Sequence, residues 1–255
     1  KAMIQTEFPV DTEVLRSRII ETARSMNTQR LNVNKSGNVS ARCRAEGGAL
    51  AFLITPSGVP YDDLTPEDIS RVTRLPTGEW RDEGPLLPSS EWRLHAAVYE
   101  SKPEVRAIVH THSPKATAVS CLESGIPPFH YMVAMSGAAE IPCAPYATFG
   151  TEALAESVTG ALRHCRVCLM AHHGVLATGS GLPGAFALAV ETENLASMYL
   201  DLLQLGDVRL LPEDEMARVL ERFRTYGQPV GHYGTFDPAH CTAVIPCMKG
   251  YNVLA

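Results

Sequence analysis

Three short apolar runs constrain the fold more than any other feature of this chain. They are LAFLI (50–54), VRAIVHTHS (105–113) and VCLMAHH (167–173). Runs of that length, rich in branched side chains, suit strands inside a sheet. Stretches with helical spacing stand between them. Residues 11–27 place Val14, Leu15, Ile19, Ala23 and Met26 on one side of a helix, with Asp11 or Thr12 available as the cap. PSSEWRLHAAVYES (88–101), KATAVSCLES (115–124) and residues 151–163 read as further helices. So does PGAFALAVETENLASMYLDLLQL, which ends at Gly206, and so does the segment from Glu213 to Tyr226. LTPEDIS is a helical turn capped by Thr65 with Pro66 in its first position. NVNKSGNVSAR (32–42) reads as a turn-rich stretch. Strands alternating with helices predict one layered α/β domain over residues 1–227. Residues 228–255, rich in Gly, Pro, His and Cys, read as an irregular C-terminal extension. Strand order and direction do not follow from the pattern.

Composition narrows the class of function. Hydrophobic residues make up 45% of the 255, enough for a packed core. No apolar run approaches the ~20 residues that cross a bilayer. KAMIQTEFPVDTEV lacks the apolar centre of a signal peptide, so the expected location is cytoplasmic. Lys and Arg number 22 against 28 Asp and Glu, a net charge of −6 that disfavours nucleic-acid binding. One phosphorylated metabolite is still within reach of local backbone N–H groups. The seven cysteines are odd in number and scattered, which points to reduced thiols. Cys165 and Cys168 form a lone C-x-x-C and are expected to pack, because a four-cysteine zinc site needs a second pair.

The chemistry concentrates in a few polar residues. His110 and His112 are two apart in a strand, so their imidazoles project from one face and can converge on one ion. A third ligand is available from His172 or His173, of which consecutive geometry lets only one reach the same point. Glu91 stands at the start of a predicted helix. A carboxylate there serves as a proton carrier, as a hard metal ligand, or simply as an acidic complement to the helix dipole. Ser89 and Ser90, with the free N–H groups of that helix start, make an anion site. The turns Ser36-Gly37-Asn38 and Thr55-Pro56-Ser57-Gly58 can join it, since glycine lets backbone approach a ligand closely.

Taken in order, SGNVSAR, LITPSGVPYDDLTPEDI, LPSSEWRLH, VHTH, PFHYM, IPCAPYATFG, HHG and ERFRTYG resemble the fuculose-phosphate aldolase branch of the class II aldolase and epimerase family. The resemblance runs from about residue 12 to Tyr226. It implies a single α/β domain with a central, mainly antiparallel sheet flanked by helices, assembled as a homotetramer with active sites at subunit interfaces. It implies a Zn2+ cofactor on His110, His112 and His173, with Glu91 as the catalytic glutamate and a further ligand of the resting metal. Asn38, Ser57, Gly58, Ser89 and Ser90 match phosphate-binding positions. Tyr131 matches a tyrosine that acts in the neighbouring subunit's site. Phe149 and Tyr226 match residues at the aldehyde end. Lys35, where such aldolases tend to have Thr, and the tail after Tyr226 depart from the pattern.

The implied activity is a zinc-dependent lyase reaction. A ketose 1-phosphate, fuculose-1-phosphate-like, is cleaved between C3 and C4 to dihydroxyacetone phosphate and a small aldehyde. The metal is the electron sink, Tyr131 takes the C4 hydroxyl proton, and Glu91 returns a proton to C3. To carry that proton at neutral pH, Glu91 needs a pKa raised by an apolar site or a shift off the metal. Other readings remain on the same scaffold. They are an aldolase for 5-deoxy- or methylthio-ribulose 1-phosphate, a pentulose-phosphate epimerase, a dehydratase, a decarboxylase, or a non-catalytic adducin-like interaction module.

Overall fold

The structure is a computed structural model and describes residues 8–45, 47 and 49–225. Tyr226 and the 228–255 extension lie outside the described residues. Eight strands form one sheet: β1 (Asn38–Cys43), β2 (Ala51–Ile54), β3 (Ser70–Arg74), β4 (Trp80–Glu83), β5 (Ala107–Thr111), β6 (Cys143–Ala144), β7 (Val167–Met170) and β8 (Gly174–Gly179). Their order is β4-β3-β2-β1-β5-β8-β7-β6. Every neighbouring pair is antiparallel except β6 with β7, so the sheet is mixed only at one edge.

Among the described residues there are six helices around the sheet: α1 (Glu13–Thr28), α2 (Trp92–Ser101), α3 (Pro114–Ser120), α4 (Glu152–Ala161), α5 (Leu182–Leu205) and α6 (Glu213–Thr225), the last packed on the 3-10 turn Tyr131–Ser136. Alternation along each strand feeds two cores. In β5, Ala107 and Val109 join the core under α1, α3 and α5, and Ile108 joins the core under α2 and α4. Both cores are built from side chains with almost no exposure, such as Ile19, Met26 and Leu53 on one face and Phe52, Tyr99 and Leu162 on the other. At roughly 1.5–3 kcal/mol for each large apolar side chain taken out of water, the two faces hold β5 rigidly between them.

Local signals explain most boundaries. Thr12 accepts from the Leu15 N–H at 3.2 Å and caps α1, while Asp11 instead pairs with Arg16 at 2.7 Å. Thr151 caps α4, and Gly206 ends α5 in the left-handed region at φ 78°. Thr65 and Asp68 form a capping box around a single 3-10 turn, Pro66–Asp68.

Three expectations are corrected. The stretch 32–42 is not all turn, because residues 38–43 form a central strand. The helix expected over 115–124 stops at Ser120. The helix expected to start near Glu91 under a serine cap starts at Trp92; Glu91 itself occupies the cap position without using its side chain there.

Candidate active site

Strand pairing brings the polar residues together. In β5, His110 lies opposite Asn38 of β1 and opposite Leu176 of β8. His112 follows one residue after the strand, and its N–H donates to Asn32 Oδ1 at 2.7 Å. The turn from β7 to β8 carries His172 and His173. His172 takes the left-handed region at φ 54°, and the His173 N–H donates to the Met170 carbonyl at 3.0 Å. The turn sends the two rings apart. His172 turns away from the cluster, placing Nε2 2.9 Å from Glu123 Oε1 while still lining the cavity beside it, whereas His173 faces His110 and His112. Glu91, freed from capping, turns its carboxylate to the same point.

One ligand atom from each of Glu91, His110, His112 and His173 lies within 4.8 Å of the others. His110 Nε2 is 2.9 Å from His112 Nε2 and 3.1 Å from Glu91 Oε2; His173 Nε2 is 3.2 Å from Glu91 Oε1. His110 Nδ1 donates to the Val175 carbonyl at 2.8 Å, which turns the Nε2 lone pair into the cluster. Glu91 Oε1 is buried without a well-formed hydrogen bond, with His173 Nε2 at 3.2 Å. Two imidazole nitrogens facing each other beside an orphaned carboxylate oxygen call for a cation among them. Three nitrogens and one oxygen also suit a zinc-type site. The residues present therefore fit a divalent metal.

Charge in the cluster is strongly coupled. Burial pushes the Glu91 carboxyl upward, but His110, by charge and hydrogen bond, and His173 override it and hold Glu91 below the usual carboxylate range. Burial lowers His110, yet Glu91 outweighs it and raises the imidazole above its ordinary value. Burial, then His110 and His173, push His112 down to about 3.

Beside the cluster opens a cavity of about 460 Å³. Asn38, Ser57, Gly58, Ser89 and Ser90 line one part of it, and Phe149 another. Asn38 gives its side-chain N–H to Glu91 Oε2 at 2.9 Å. Ser89 Oγ accepts from the Glu91 N–H at 3.3 Å. Two glycines let the walls close up. A Cβ on Gly37 would fall 2.5 Å from the His110 carbonyl oxygen, and one on Gly174 would fall 2.3 Å from that of Thr111. Tyr131 begins a 3-10 turn, is 46% exposed, and is not among the residues lining this cavity.

Residues 17–200 match the family model described as Class II Aldolase and Adducin N-terminal domain. The chain belongs to the class II aldolase family. It is 48% identical over 220 residues to a 5-methylthioribulose-1-phosphate/5-deoxyribulose-1-phosphate aldolase of Rhodospirillum rubrum, covering 86% of this chain and 96% of that one. It is 45% identical over 214 residues to an L-fuculose phosphate aldolase of Escherichia coli K12, covering 84% and 95%. Among solved structures, an L-fuculose 1-phosphate aldolase superposes with a TM-score of 0.76 at 32% identity, covering 84% of this chain and 97% of that chain. This class II aldolase is accordingly a lyase. No helix among the described residues is long and apolar enough to cross a membrane.

Two more residues line the cavity, one of which, Lys35, the sequence placed beside the phosphate turn. Tyr146 and Lys35 line it, Tyr146 being 61% exposed. Lys35 donates to the Gly58 carbonyl at 2.7 Å. Tyr146 sits in an irregular loop where residue type alone gives no signal. Asn32, which fixes the His112 backbone, was equally silent. Lys35 stood out in the sequence only as a departure from its relatives' pattern. Cys165 and Cys168 are both buried in packing, as expected.

Proposed function

We propose that this class II aldolase uses Zn2+ held by His110, His112, His173 and Glu91. The reaction is reversible cleavage of a fuculose-1-phosphate-like ketose 1-phosphate to dihydroxyacetone phosphate and a small aldehyde. The observation that carries the proposal is the three-histidine, one-carboxylate cluster opening onto a cavity whose other wall offers serine hydroxyls and a glycine turn. When bound, the ion supplies Lewis acidity, taking up the negative charge that develops at the C2 oxygen as C3–C4 breaks.

The chain's own groups account for the rest. Ser57, Gly58, Ser89, Ser90 and Asn38 bound the pocket for the phosphate; one N–H of the Asn38 amide goes to Glu91, which leaves its second N–H, the hydroxyls and the turn for that task. Glu91, ionised and hydrogen-bonded, is set as a base. It suits removal of the C3 proton from dihydroxyacetone phosphate in the direction of synthesis, and it returns that proton to C3 in cleavage. Phe149, which lines the cavity, is assigned with Tyr226 to the aldehyde end, and Tyr146 lines the same cavity. Aromatic rings there suit a short aldehyde ending in a methyl or thioether group. Tyr131, exposed and away from its own chain's cavity, acts at the C4 oxygen of a neighbouring subunit's site within a homotetramer.

A second substrate reading has support of its own. The Rhodospirillum rubrum relative, at 48% identity, bears the name of an aldolase for 5-methylthio- and 5-deoxy-ribulose 1-phosphate. Those ketoses share the phosphate and the C3–C4 bond with fuculose 1-phosphate and differ only in the aldehyde released. One experiment separates them. Zinc-loaded protein is incubated with dihydroxyacetone phosphate and lactaldehyde, acetaldehyde or methylthioacetaldehyde, and the products are identified. Fastest addition to lactaldehyde supports the fuculose reading, and fastest addition to either of the others supports the ribulose reading. Absence of any addition, together with no exchange of the C3 proton in deuterated water, refutes the aldolase proposal.

A further inference from the structure

Glu91 is backed by a buried chain of hydrogen bonds. Glu91, His95 and Tyr99 are spaced by four along one edge of α2, so they stack on a single stripe. Asn38 and Ser40, two apart in β1, face that stripe from the sheet. Tyr99 Oη lies 2.8 Å from Ser40 Oγ, and Ser40 Oγ lies 2.6 Å from His95 Nδ1. His95 Nε2 bonds Asn38 Oδ1, and Asn38 Nδ2 donates to Glu91 Oε2 at 2.9 Å. His95 and Ser40 have no exposure at all, and Tyr99 and Asn38 have 1% and 3%.

The direction of the chain follows from its end. An ionised carboxylate only accepts, so Asn38 must present its N–H to Glu91 and its carbonyl to His95. His95 must then carry its proton on Nε2, which leaves Nδ1 to accept from Ser40. Ser40, having donated, accepts from Tyr99. Burial, with His110 adding to it, pushes the His95 pKa down to about 3, so the ring stays neutral and has one proton to place. An Asn38 amide turned the other way would set its oxygen against the Glu91 carboxylate.

We propose that His95 is a positioning residue for the reaction. Its Nε2–H fixes the Asn38 amide so that an N–H faces Glu91, and Ser40 and Tyr99 fix the His95 tautomer. This deepens the aldolase reading, since the group so held is its proton carrier and a metal ligand. Partners one step behind such ligands are typically worth about 10–100-fold in metal affinity or activity.

The test compares His95→Leu, which cannot donate, with His95→Gln, whose side-chain amide can give an N–H to Asn38 and accept from Ser40. Zinc affinity is read by chelator competition, cleavage by kcat and KM, and folding by thermal melting. The expected result for His95→Leu is a loss of about 10–100-fold in kcat and about tenfold in zinc affinity, with KM within about twofold. His95→Gln should recover most of both. A purely structural role would lower the melting point without that recovery. Wild-type values in His95→Leu overturn the proposal. So does His95→Gln being as defective as His95→Leu at equal melting temperature. Should His95→Leu fail to fold, Ser40→Ala, which removes one hydroxyl, is expected to show a smaller loss in the same direction; no loss overturns the proposal. Zinc affinity is read without substrate. If the wild type cleaves none of the ketose phosphates, the aldolase reading falls, while the order wild type, Gln, Leu in zinc affinity still decides the role of His95.

Discussion

Gly37→Ala adds one methyl group at the point where the first turn meets the strand that carries His110. Gly37 sits at φ 77°, and its new Cβ would stand 2.5 Å from the His110 carbonyl oxygen and 2.6 Å from Asn32 Nδ2, inside the 3.0 Å that real Cβ atoms respect. The turn cannot simply retreat. Tyr61 Oη donates to the carbonyls of Ser36 and Gly37 at 2.9 and 2.7 Å and pins it. Two costs therefore add. An alanine in the left-handed region costs about 1–2 kcal/mol, and overpacking against backbone costs about 1–3 kcal/mol. For a protein of this size, the sum of about 2–5 kcal/mol lowers the melting temperature by roughly 4–20 °C.

Gly206→Ala separates the two terms. Gly206 has nearly the same φ, 78°, with nothing within 4 Å of its Cβ position. It should lose only the conformational part, roughly 2–8 °C. The steric part in Gly37→Ala pushes on the groups that place His110 and His112, so zinc affinity should fall by about tenfold in that variant and not in Gly206→Ala. Differential scanning calorimetry and chelator competition on both proteins read these quantities. Equal melting temperatures, or wild-type zinc affinity in Gly37→Ala, would refute the reasoning.

Three other predictions follow from the same site. After dialysis, elemental analysis of His112→Ala should show loss of the zinc, whereas His172→Asn, which tolerates the left-handed turn, should keep it; equal content in the two would remove the histidine assignment. Lys35→Thr should weaken competition by inorganic phosphate about fivefold, equivalent to about 1 kcal/mol for an exposed ion pair, and should flatten its salt dependence. An unchanged inhibition constant would take Lys35 out of phosphate binding. Inactive Tyr131→Phe and inactive His110→Ala proteins, mixed under subunit exchange, should regain activity if Tyr131 serves a neighbour's site; mixed oligomers that stay inactive would place it elsewhere.

The sequence made the strands β2, β5 and β7 and every helix visible, because their apolar spacing survives burial on one or both faces. It hid β1, and the reason is physical. Val39, Ala41 and Cys43 alternate into one core, but Asn38, Ser40 and Arg42 fill the opposite face and are buried as well. Polar residues paired inside a protein look, in sequence, like residues facing water. The network on Glu91 was invisible for the same reason. The convergence of His110 and His112 was legible because i and i+2 in a strand must share a face, yet geometry alone left His172 and His173 equivalent. The left-handed residue at 172, which separates them, has no signature in a histidine pair. The parallel edge strand β6, two residues long, and β8, which opens on glycine, carried too little pattern to be seen. Lys35 and Tyr146 reach the cavity from loops, where position depends on the rest of the fold.

The two edges of the sheet bear on how copies of this chain can meet. β4 ends one side with Arg81, Asp82 and Glu83, all exposed, and Arg81 is paired to Glu83 at 2.7 Å. β6 ends the other side after two residues. A ninth strand would have to seat against a row of charges or against a ladder too short to hold it. The fold thus carries its own protection against runaway edge-to-edge pairing, and against the fibrous aggregation that such pairing seeds. Among the described residues, helices and loops are the surfaces free of that constraint, and contacts through them can close into a finite ring without exposing a template for the next molecule.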